Sequence, residues 1–249
     1  MDSTPHLDGK AAIVTGATGG IGAVIARALA AAGASVTVVG RRAEAGEAVV
    51  KDLPRATFVA ADLTDHSTHR RVVDATMDRF GRLDILVNNA AAHAGGPAIQ
   101  GTEQDFDRIV ALNYKAAFFL TQAALPGLIA SGAGRIVNVS SIGTIKSYWG
   151  AAIYNSSKAA LDNLTRTWAL EHGADGVRVN AVNPGIVADG PMSAPVQEFL
   201  DIERDVLPTI PARRLATAAD VAAVVTFLAG TGADYLNGVI VPLDGGLTA

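Results

Sequence analysis

The sequence predicts an α/β fold in which a doubly wound parallel sheet of about seven strands carries helices on both faces. Two observations support this fold class. Short β-branched runs alternate with longer Ala/Leu-rich segments from about residue 10 to the end, which is the rhythm of βαβ units. The strand candidates are apolar along their whole length, as expected of strands that are covered on both faces. We therefore expect a single domain over residues 1–249.

The elements follow one another in a regular order, with right-handed crossovers expected between parallel strands. The predicted strands are 11–15, 35–40, 57–61, 83–87, 135–140, 177–182 and 238–241. The predicted helices are 20–32, 42–52, 65–79, 102–130, 153–172 and 217–229. Proline lacks a backbone donor, so Pro126 should end or kink the fourth helix.

One long segment, 184–216, breaks the rhythm and contains repeated prolines. A short helix around 196–207 fits within it. Long connections inside a domain usually serve a function, so a substrate lid is expected at about 186–213. The alternative is a surface excursion.

Composition excludes several classes of function. The chain is 49% hydrophobic and 18% charged, with a net charge of −4 and no cysteine. Disulfides, thiolate catalysis and cysteine-ligated zinc are excluded, and the charge argues against nucleic-acid or membrane partners. There is no signal-peptide pattern, so a cytoplasmic protein is expected. His66 and His69 form an H-x-x-H, which we interpret as solvated, with no metal site.

A glycine-rich turn follows the first strand and opens an alanine-rich helix. Residues 15–22 read T-G-A-T-G-G-I-G. Glycines let the backbone approach a pyrophosphate, which the helix N-terminus then binds. A plain turn is the alternative, and a lysine-bearing phosphate loop is excluded. The expected contacts to a dinucleotide come from Gly16, Thr18, Gly19, Gly20, Ile21 and Gly22.

Tyr154 and Lys158 stand four residues apart, and Ser141 lies thirteen residues before the tyrosine. On a helix such a pair shares one face, about 5–6 Å apart at Cβ. A nearby ammonium can lower a phenol pKa by roughly 1–3 units, which would make Tyr154 a proton donor and acceptor near neutral pH. The pair alone is a weak signal.

Together these motifs resemble the short-chain dehydrogenase/reductase family in its plain single-domain form. The resemblance covers nearly the whole chain and depends on the order and spacing of the motifs along it. It rests on residues 15–22, Asp62, Asn88-Asn89-Ala90, Asn113, Ser141, Tyr154, Lys158, Pro184-Gly185 and Asp244-Gly245-Gly246. It implies a Rossmann-like fold, a nicotinamide cofactor and interconversion of a ketone with a secondary alcohol.

The resemblance also implies cofactor contacts beyond the glycine-rich turn. Asp62 is expected to meet the adenine amino group, or alternatively only to cap the next helix. The remaining expected contacts are Leu63, Asn89, Ala90, Pro184, Gly185 and Val187, with Tyr154 and Lys158 beside the nicotinamide. The chain has Ala91 where the family usually has glycine. It has Asp189 where relatives often have threonine, so Asp189 is left out of the cofactor site.

The end of the second strand bears on the choice of cofactor. Gly40 stands where NAD-preferring relatives carry aspartate, and Arg41 and Arg42 follow it. Guanidinium groups suit a phosphate dianion, which favours NADP(H), although NAD(H) stays possible. A solvated arginine pair is the alternative. Gly19 counts against NADP because NADP-specific relatives often have a basic residue there.

By the same resemblance, the four catalytic residues have distinct roles. Ser141 donates to the substrate oxygen, and Ser140 is its rival. Tyr154 transfers the proton, and Lys158 assists it and binds the nicotinamide ribose. Asn113 holds a water that links the lysine to solvent; a capping or turn asparagine is the alternative.

The expected function is therefore an NADP(H)-dependent oxidoreductase for a small, fairly hydrophobic substrate. Candidate substrate-pocket residues are His93, Ile142, Tyr148, Trp149 and Met192, any of which could instead pack between lid and sheet. The alternatives are an NAD-linked dehydrogenase, a dehydratase, epimerase or lyase, or a non-catalytic nucleotide-binding regulator. The predicted helices 102–130 and 153–172 are too apolar to be fully exposed to solvent. Together with the resemblance, this leads us to expect a homotetramer.

Overall fold

Seven parallel strands form one sheet in the computed structural model, which describes residues 6–188 and 201–249. The spatial order is β3-β2-β1-β4-β5-β6-β7. The strands are β1 (Ala11–Thr15), β2 (Ser35–Gly40), β3 (Ala56–Ala60), β4 (Ile85–Asn88), β5 (Arg135–Val139), β6 (Arg178–Pro184) and β7 (Ile240–Leu243). The order reverses between β1 and β4. In open parallel sheets, ligands bind at the carboxyl ends of the strands at such a reversal.

Helices cover both faces of the sheet, as predicted. They are α1 (Gly20–Ala31), α2 (Ala43–Lys51), α3 (Ser67–Phe80), α4 (Glu103–Val110), α5 (Ala117–Ala130), α6 (Ala152–His172) and α7 (Ala218–Ala229). Helices α1, α2 and α7 pack on one face, and α3, α5 and α6 pack on the other. The prediction of a doubly wound α/β domain is confirmed.

The core consists of two layers because successive side chains of a strand point to opposite faces. In β1, Ala12 and Val14 belong to the layer under α1 and α7. Ile13, between them, belongs to the layer under α5 and α6. All three side chains are fully buried. The uninterrupted apolar strands of the sequence are thus explained by burial on both faces.

The fourth predicted helix differs from its prediction in two ways. Pro126, predicted to end or kink the helix, lies inside α5, which continues to Ala130, so the prediction that it ends the helix is wrong and the kink stays a prediction. The irregular part lies upstream, where residues Ala111–Ala116 form a π-helical turn between α4 and α5. Such turns are rare and often occur at functional sites. This one contains Asn113.

Part of the predicted lid, residues 189–200, lies outside the described residues, as does the first part, 196–200, of the short helix predicted around 196–207. At one flank, Val187 pairs with Ala216. After the gap, a short π-helical turn, Ile202–Val206, and a 3-10 turn, Leu207–Thr209, follow. Within the described residues no helix is long and apolar enough to cross a membrane.

Candidate active site

The glycine-rich turn packs against the end of β4 with no room for side chains. Gly16 has a left-handed backbone (φ 65°), and a Cβ there would lie 2.8 Å from the Ala90 Cα. A Cβ on Gly22 would lie 2.5 Å from the Gly16 carbonyl oxygen. The Asn89 amide donates to the Thr15 carbonyl at 2.8 Å. Asn89 and Ala90 therefore hold the turn in place.

Thr15 takes part in this contact, although it was not among the predicted site residues. Its hydroxyl oxygen accepts from the backbone N–H groups of Asn89 at 2.9 Å and Ala90 at 3.0 Å. The hydroxyl in turn donates to the Val87 carbonyl at 3.1 Å. Threonine at the last position of an otherwise apolar first strand was the available sequence signal.

The N-terminus of α1 has no side-chain cap. Gly19 occupies the cap position, makes no side-chain cap bond and is followed by no acidic residue in the first turn. Among the described residues, Thr102 caps α4 and Thr217 caps α7, whereas α2, α3 and α6 lack a side-chain cap as α1 does. The free N–H groups and positive end of α1 fit an anionic pyrophosphate. The predicted turn residues thus form a surface suited to a dinucleotide.

Two exposed arginines flank this turn. The Arg42 guanidinium donates to the Thr18 carbonyl at 2.9 Å, and a Cβ on Gly19 would lie 2.7 Å from the same guanidinium. Arg41 lies 4.0 Å from the Asp62 carboxylate, measured from nitrogen to oxygen. Both arginines therefore stand at the outer end of the cofactor surface.

Asp62 supports the turn that follows β3. Its carboxylate accepts from the Thr64 backbone at 3.0 Å and from the Thr64 hydroxyl at 2.8 Å. These hydrogen bonds lower the pKa of Asp62. The alternative that Asp62 caps the next helix is wrong, because α3 begins at Ser67 and has no side-chain cap among the described residues. The adenine contact stays a prediction.

The interpretation of both histidines as solvated is wrong for one of them. His66 is exposed, but His69 is only 3% exposed and its Nε2 lies 2.8 Å from the Leu63 carbonyl oxygen. Burial lowers the pKa of His69. This contact fixes the backbone of Leu63, another predicted cofactor residue. No group of three or more metal-ligating side chains occurs in the part of the chain that the structure describes.

The structure brings Ser141, Tyr154 and Lys158 together. Tyr154 and Lys158 lie on the buried side of α6, and the Lys158 Nζ lies 5.9 Å from the centre of the Tyr154 ring. Ser141 follows β5, and its side chain lies close enough to the Tyr154 phenol to lower the pKa of that phenol. Lys158 is 2% exposed and donates to the Val139 carbonyl at 2.8 Å. A hydroxyl, a phenol and an ammonium thus converge at one point.

Ser140 points elsewhere. Its hydroxyl donates to the Lys158 carbonyl at 3.2 Å within the interior. The Ser141 hydroxyl oxygen accepts from the Gly143 N–H at 3.1 Å, beside the tyrosine. Ser141, not Ser140, therefore faces the site.

Burial dominates the acidity of the tyrosine and the lysine. It raises the pKa of Tyr154 to about 12, while the Ser141 side chain acts in the opposite direction. It lowers the pKa of Lys158 to about 8, while the Asp162 carboxylate raises it. For the protein alone, the predicted lowering of the Tyr154 pKa by Lys158 is wrong, because loss of solvation outweighs the ammonium.

Asn113 joins the loop after β4 to helix α6. Its amide nitrogen donates to the Ala92 carbonyl at 2.9 Å and to the Ser157 hydroxyl at 3.0 Å. Its amide oxygen accepts from the Ala92 N–H at 2.7 Å. Both amide donors are thus used, and Asn113 acts as a positioning residue for the loop and for the helix that carries Lys158. The predicted water stays a prediction.

A second buried network, unpredicted from sequence, lies one turn beyond Lys158. The Asn183 amide donates to the Asp162 carboxylate at 2.9 Å and to the Thr144 hydroxyl at 2.8 Å. Thr144 donates in turn to the Ser141 carbonyl at 3.1 Å. The network links α6, the turn of Ser141 and the end of β6. An acid four residues after Lys158, on the same helix face, was a usable signal.

The predicted nicotinamide segment follows β6 at the same edge of the sheet. Pro184 ends the strand, and a Cβ on Gly185 would lie 3.2 Å from the Asp244 Cα. Val187 is 7% exposed and is held by its pairing with Ala216. This brings the segment next to the Ser141 turn, because Gly185 also faces the Ile142 side chain.

The substrate-pocket candidates separate into different environments. The His93 ring meets the Tyr154 ring edge-on, with centroids 5.0 Å apart. Ile142 is buried at 2% exposure, and Trp149 is 85% exposed, so neither presents a half-open pocket wall. Tyr148 is 36% exposed, and burial raises its pKa to about 12. Met192 lies outside the described residues.

Comparison with known proteins identifies the family. A family model described as "Enoyl-(Acyl carrier protein) reductase" matches residues 16–248. The chain is 37% identical over 246 residues to meso-2,3-butanediol dehydrogenase from Serratia marcescens, covering 98% of this chain and 96% of the relative. It is 40% identical over 260 residues to the short-chain dehydrogenase/reductase FrzI from Cladobotryum sp, covering 99% of each. The chain belongs to the short-chain dehydrogenase/reductase family.

A solved structure agrees with this assignment. The chain matches a crystal structure from Sinorhizobium meliloti 1021, provisionally designated a short-chain alcohol dehydrogenase, with a TM-score of 0.91 and 38% identity. The match covers 97% of each chain. This family member is therefore a single-domain oxidoreductase of the type that acts on CH–OH groups with a nicotinamide cofactor.

Proposed function

We propose that the chain is an NADP(H)-dependent oxidoreductase that interconverts a ketone and a secondary alcohol on a small, fairly hydrophobic substrate. The observation that carries this proposal is the convergence of Ser141, Tyr154 and Lys158 at the carboxyl ends of the strands. A non-catalytic regulator would have no physical need for a buried lysine beside a buried tyrosine. The name of the Serratia relative, a butanediol dehydrogenase, supports a small alcohol as substrate.

The residues divide the proton chemistry between them. In ketone reduction, the Ser141 hydroxyl donates to the carbonyl oxygen as negative charge develops there. The Tyr154 phenol then gives its proton to that oxygen, and its pKa of about 12 keeps it protonated at neutral pH. In alcohol oxidation the phenolate form of Tyr154, which is favoured at higher pH, removes the hydroxyl proton. When bound, the nicotinamide supplies the hydride in reduction and accepts it in oxidation.

Support for NADP(H) comes from the end of β2. A Cβ on Gly40 would lie 2.6 Å from the Thr18 Cγ2, so an acidic side chain at this position does not fit beside Thr18. The Arg42 guanidinium fills the space next to Gly19, where a basic side chain at residue 19 would otherwise stand. Arg41 and Arg42 are both available to a 2′-phosphate.

The test is a cofactor and substrate panel followed by absorbance of the reduced nicotinamide. The wild-type protein should oxidise NADPH in the presence of small ketones, with a kcat/KM for NADPH above that for NADH. Preference for NADH would overturn the cofactor assignment and leave the redox assignment in place. Turnover of an alcohol without change in nicotinamide absorbance would favour a dehydratase or epimerase instead.

We also propose that four copies of the chain form a homotetramer. Large apolar side chains are exposed on α4 and α6, where Phe106 is 52% and Leu170 is 86% exposed. Contact between subunits would remove these side chains from water. Light scattering should give the mass of four chains, and a monomeric mass at assay concentration would overturn this part alone.

A further inference from the structure

The loop after β4 presents an imidazole to the catalytic tyrosine. The rings of His93 and Tyr154 meet edge-on, with centroids 5.0 Å apart and planes 66° apart. His93 is half-buried. Among residues 6–188 and 201–249 its ring nitrogens have no hydrogen-bond partner. Polar ring atoms beside a reacting group, without a protein partner, are available to a bound molecule.

The backbone of this loop is held firmly. Both backbone polar groups of Ala92 bond to the Asn113 amide, at 2.7 and 2.9 Å. The Arg108 guanidinium donates to the His93 carbonyl at 3.2 Å. The Gly96 N–H donates to the Gly150 carbonyl at 3.0 Å, which joins the loop to the segment before α6. The position of His93 is thus set by its backbone, while its side chain is not tied to the protein.

The surroundings of His93 favour the neutral form of its imidazole. Burial lowers the pKa of His93, and the Arg108 guanidinium lowers it further. A neutral imidazole has one N–H donor and one nitrogen acceptor. A hydroxyl group can accept from the first or donate to the second, and a carbonyl oxygen can accept from the first. The ring therefore suits an uncharged oxygen rather than a carboxylate.

The reacting oxygen of the substrate already has its partners. By the proposed function, Ser141 and Tyr154 bind that oxygen. The His93 ring contacts the Tyr154 ring, so it is a side chain that an oxygen next to the reacting one could meet. A small substrate presents two oxygens to adjacent side chains most directly when they are on neighbouring carbons.

We propose that His93 is a specificity-determining residue that hydrogen-bonds a second oxygen on the carbon next to the reacting one, so that vicinal diols and α-hydroxy ketones are preferred over simple secondary alcohols and ketones. This inference rests on the proposed function and narrows its substrate class. It adds a polar contact to a pocket that was expected to be mainly apolar. Sites that hydrogen-bond a substrate hydroxyl discriminate strongly against analogues that lack it.

The experiment compares kcat/KM for butane-2,3-diol and butan-2-ol in the wild-type protein, His93→Phe and His93→Gln. Phenylalanine keeps an aromatic ring against Tyr154 but cannot bond an oxygen. In His93→Phe the ratio of the two kcat/KM values, diol over mono-alcohol, should fall by about tenfold or more. Glutamine retains a donor and an acceptor and should restore part of the ratio. Thermal unfolding and NADPH titration check that each variant is folded and binds cofactor.

The outcomes separate the inference from the proposed function. An unchanged or increased ratio in His93→Phe overturns the role of His93, even when both rates fall together, because a purely structural role lowers both rates by the same factor. A wild-type ratio near one also overturns it and leaves the alcohol dehydrogenase assignment standing. If the wild-type protein acts on neither alcohol nor on any ketone with either nicotinamide, the proposed function and this inference both fail.

Discussion

Two buried charges, one at each end of the sheet, differ in how completely the protein satisfies them. At the amino end, the Asp84 side chain is 1% exposed and accepts from Lys10 at 3.2 Å, from the Ala11 N–H at 2.9 Å and from two Arg82 nitrogens at 2.7 Å. At the carboxyl end, Lys158 is 2% exposed, and the one hydrogen bond that its ammonium makes to a described residue goes to the Val139 carbonyl.

The difference shows what each end of the sheet is for. A carboxylate that accepts four hydrogen bonds has little capacity left, so it holds β1 and β4 in register. An ammonium has three donors, and Lys158 uses one of them within the described residues. The remaining donors are available to a cofactor and to the reacting groups. In this protein, the buried charge whose hydrogen bonds are all made, Asp84, has a structural role. The buried charge with unused donors, Lys158, is placed for a role in the reaction.

The largest effect is expected from Tyr154→Phe, which removes proton transfer at the carboxyl end. General acid–base assistance is typically ~10²–10⁴-fold, so kcat should fall at least about 100-fold. The Tyr154 phenol makes no contribution to the glycine-rich turn that is proposed to bind the pyrophosphate, so the affinity for NADPH should be retained. Steady-state rates and fluorescence titration with NADPH measure the two effects.

Tyr235→Phe is the matched control, because Tyr235 is fully exposed at 102%. Its kcat should stay at the wild-type value. Retention of more than about half of wild-type turnover in Tyr154→Phe would contradict the assignment of the proton to this residue.

Asp84→Asn should act on stability rather than on rate. Breaking a buried ion pair costs about 3 kcal/mol in the free energy of unfolding, measured by denaturant titration. Burial pushes the pKa of Asp84 up, but hydrogen bonds from Arg82, Ala11 and Lys10 outweigh it and leave that pKa lowered. The carboxylate thus stabilises the fold above its unfolded pKa of about 3.9, and this contribution is lost as the pH falls through the lower, folded pKa.

Asp74→Asn is the control, since the Asp74 side chain is 49% exposed in its pair with Arg70. Exposed pairs contribute about 0–1 kcal/mol. A lower kcat of the folded Asp84→Asn protein, with an unchanged free energy of unfolding, would contradict the structural role of Asp84.

Asp162→Asn should give a smaller, pH-dependent effect on rate. The Asp162 carboxylate raises the pKa of Lys158, so its removal lets that pKa fall below about 8. Less ammonium at neutral pH favours the phenolate of Tyr154 less strongly. The rise of alcohol oxidation with pH should therefore move to higher pH, with kcat at pH 7 reduced by up to about tenfold.

Thr144→Val is the matched variant, because it cuts the same hydrogen-bond network without removing a charge. It should lower the rate without moving the pH profile. Identical pH profiles in Asp162→Asn and the wild-type protein would show that Asp162 acts only through structure.

The smallest effect is expected from Arg42→Ala, at the exposed outer end of the cofactor surface. Loss of one charge-assisted contact to a 2′-phosphate should raise the KM for NADPH by about tenfold and leave the KM for NADH nearly unchanged. Arg70→Ala, on α3, serves as the control for loss of a surface guanidinium. Equal changes for both cofactors would contradict a 2′-phosphate contact.

Much of the fold could be predicted because its signals are local. Strands buried on both faces are short apolar runs, and the seven predicted runs coincide with the seven strands to within a few residues. The π-helical turn at 111–116 could not be predicted, because its residues have the same pattern as an ordinary helix. Pro126 was misjudged for a related reason: a helix held by the packing of its buried side chains tolerates one missing donor.

Site residues could be predicted where their roles depend on intervals along the sequence. Properties that depend on burial in the folded chain could not be predicted. Tyr154 and Lys158 were indicated by their interval, and Ser141 by its distance from them. The acidity of Tyr154 was misjudged because sequence shows a neighbouring ammonium but not the loss of water around the phenol. Asp162 and Asn183 come from different elements, and only the folded chain brings them together.

The extra residue in the turn around Asn113 has a consequence for how this protein can evolve. A wider turn exists because the helix contains one residue more than α-helical geometry needs. Deleting a single residue from 111–116 would restore regular winding and move Asn113 from the position where its amide contacts both the loop after β4 and α6. Point substitutions do not change the winding, so this segment, apart from Asn113, should tolerate exchanges of residue type far better than changes in length.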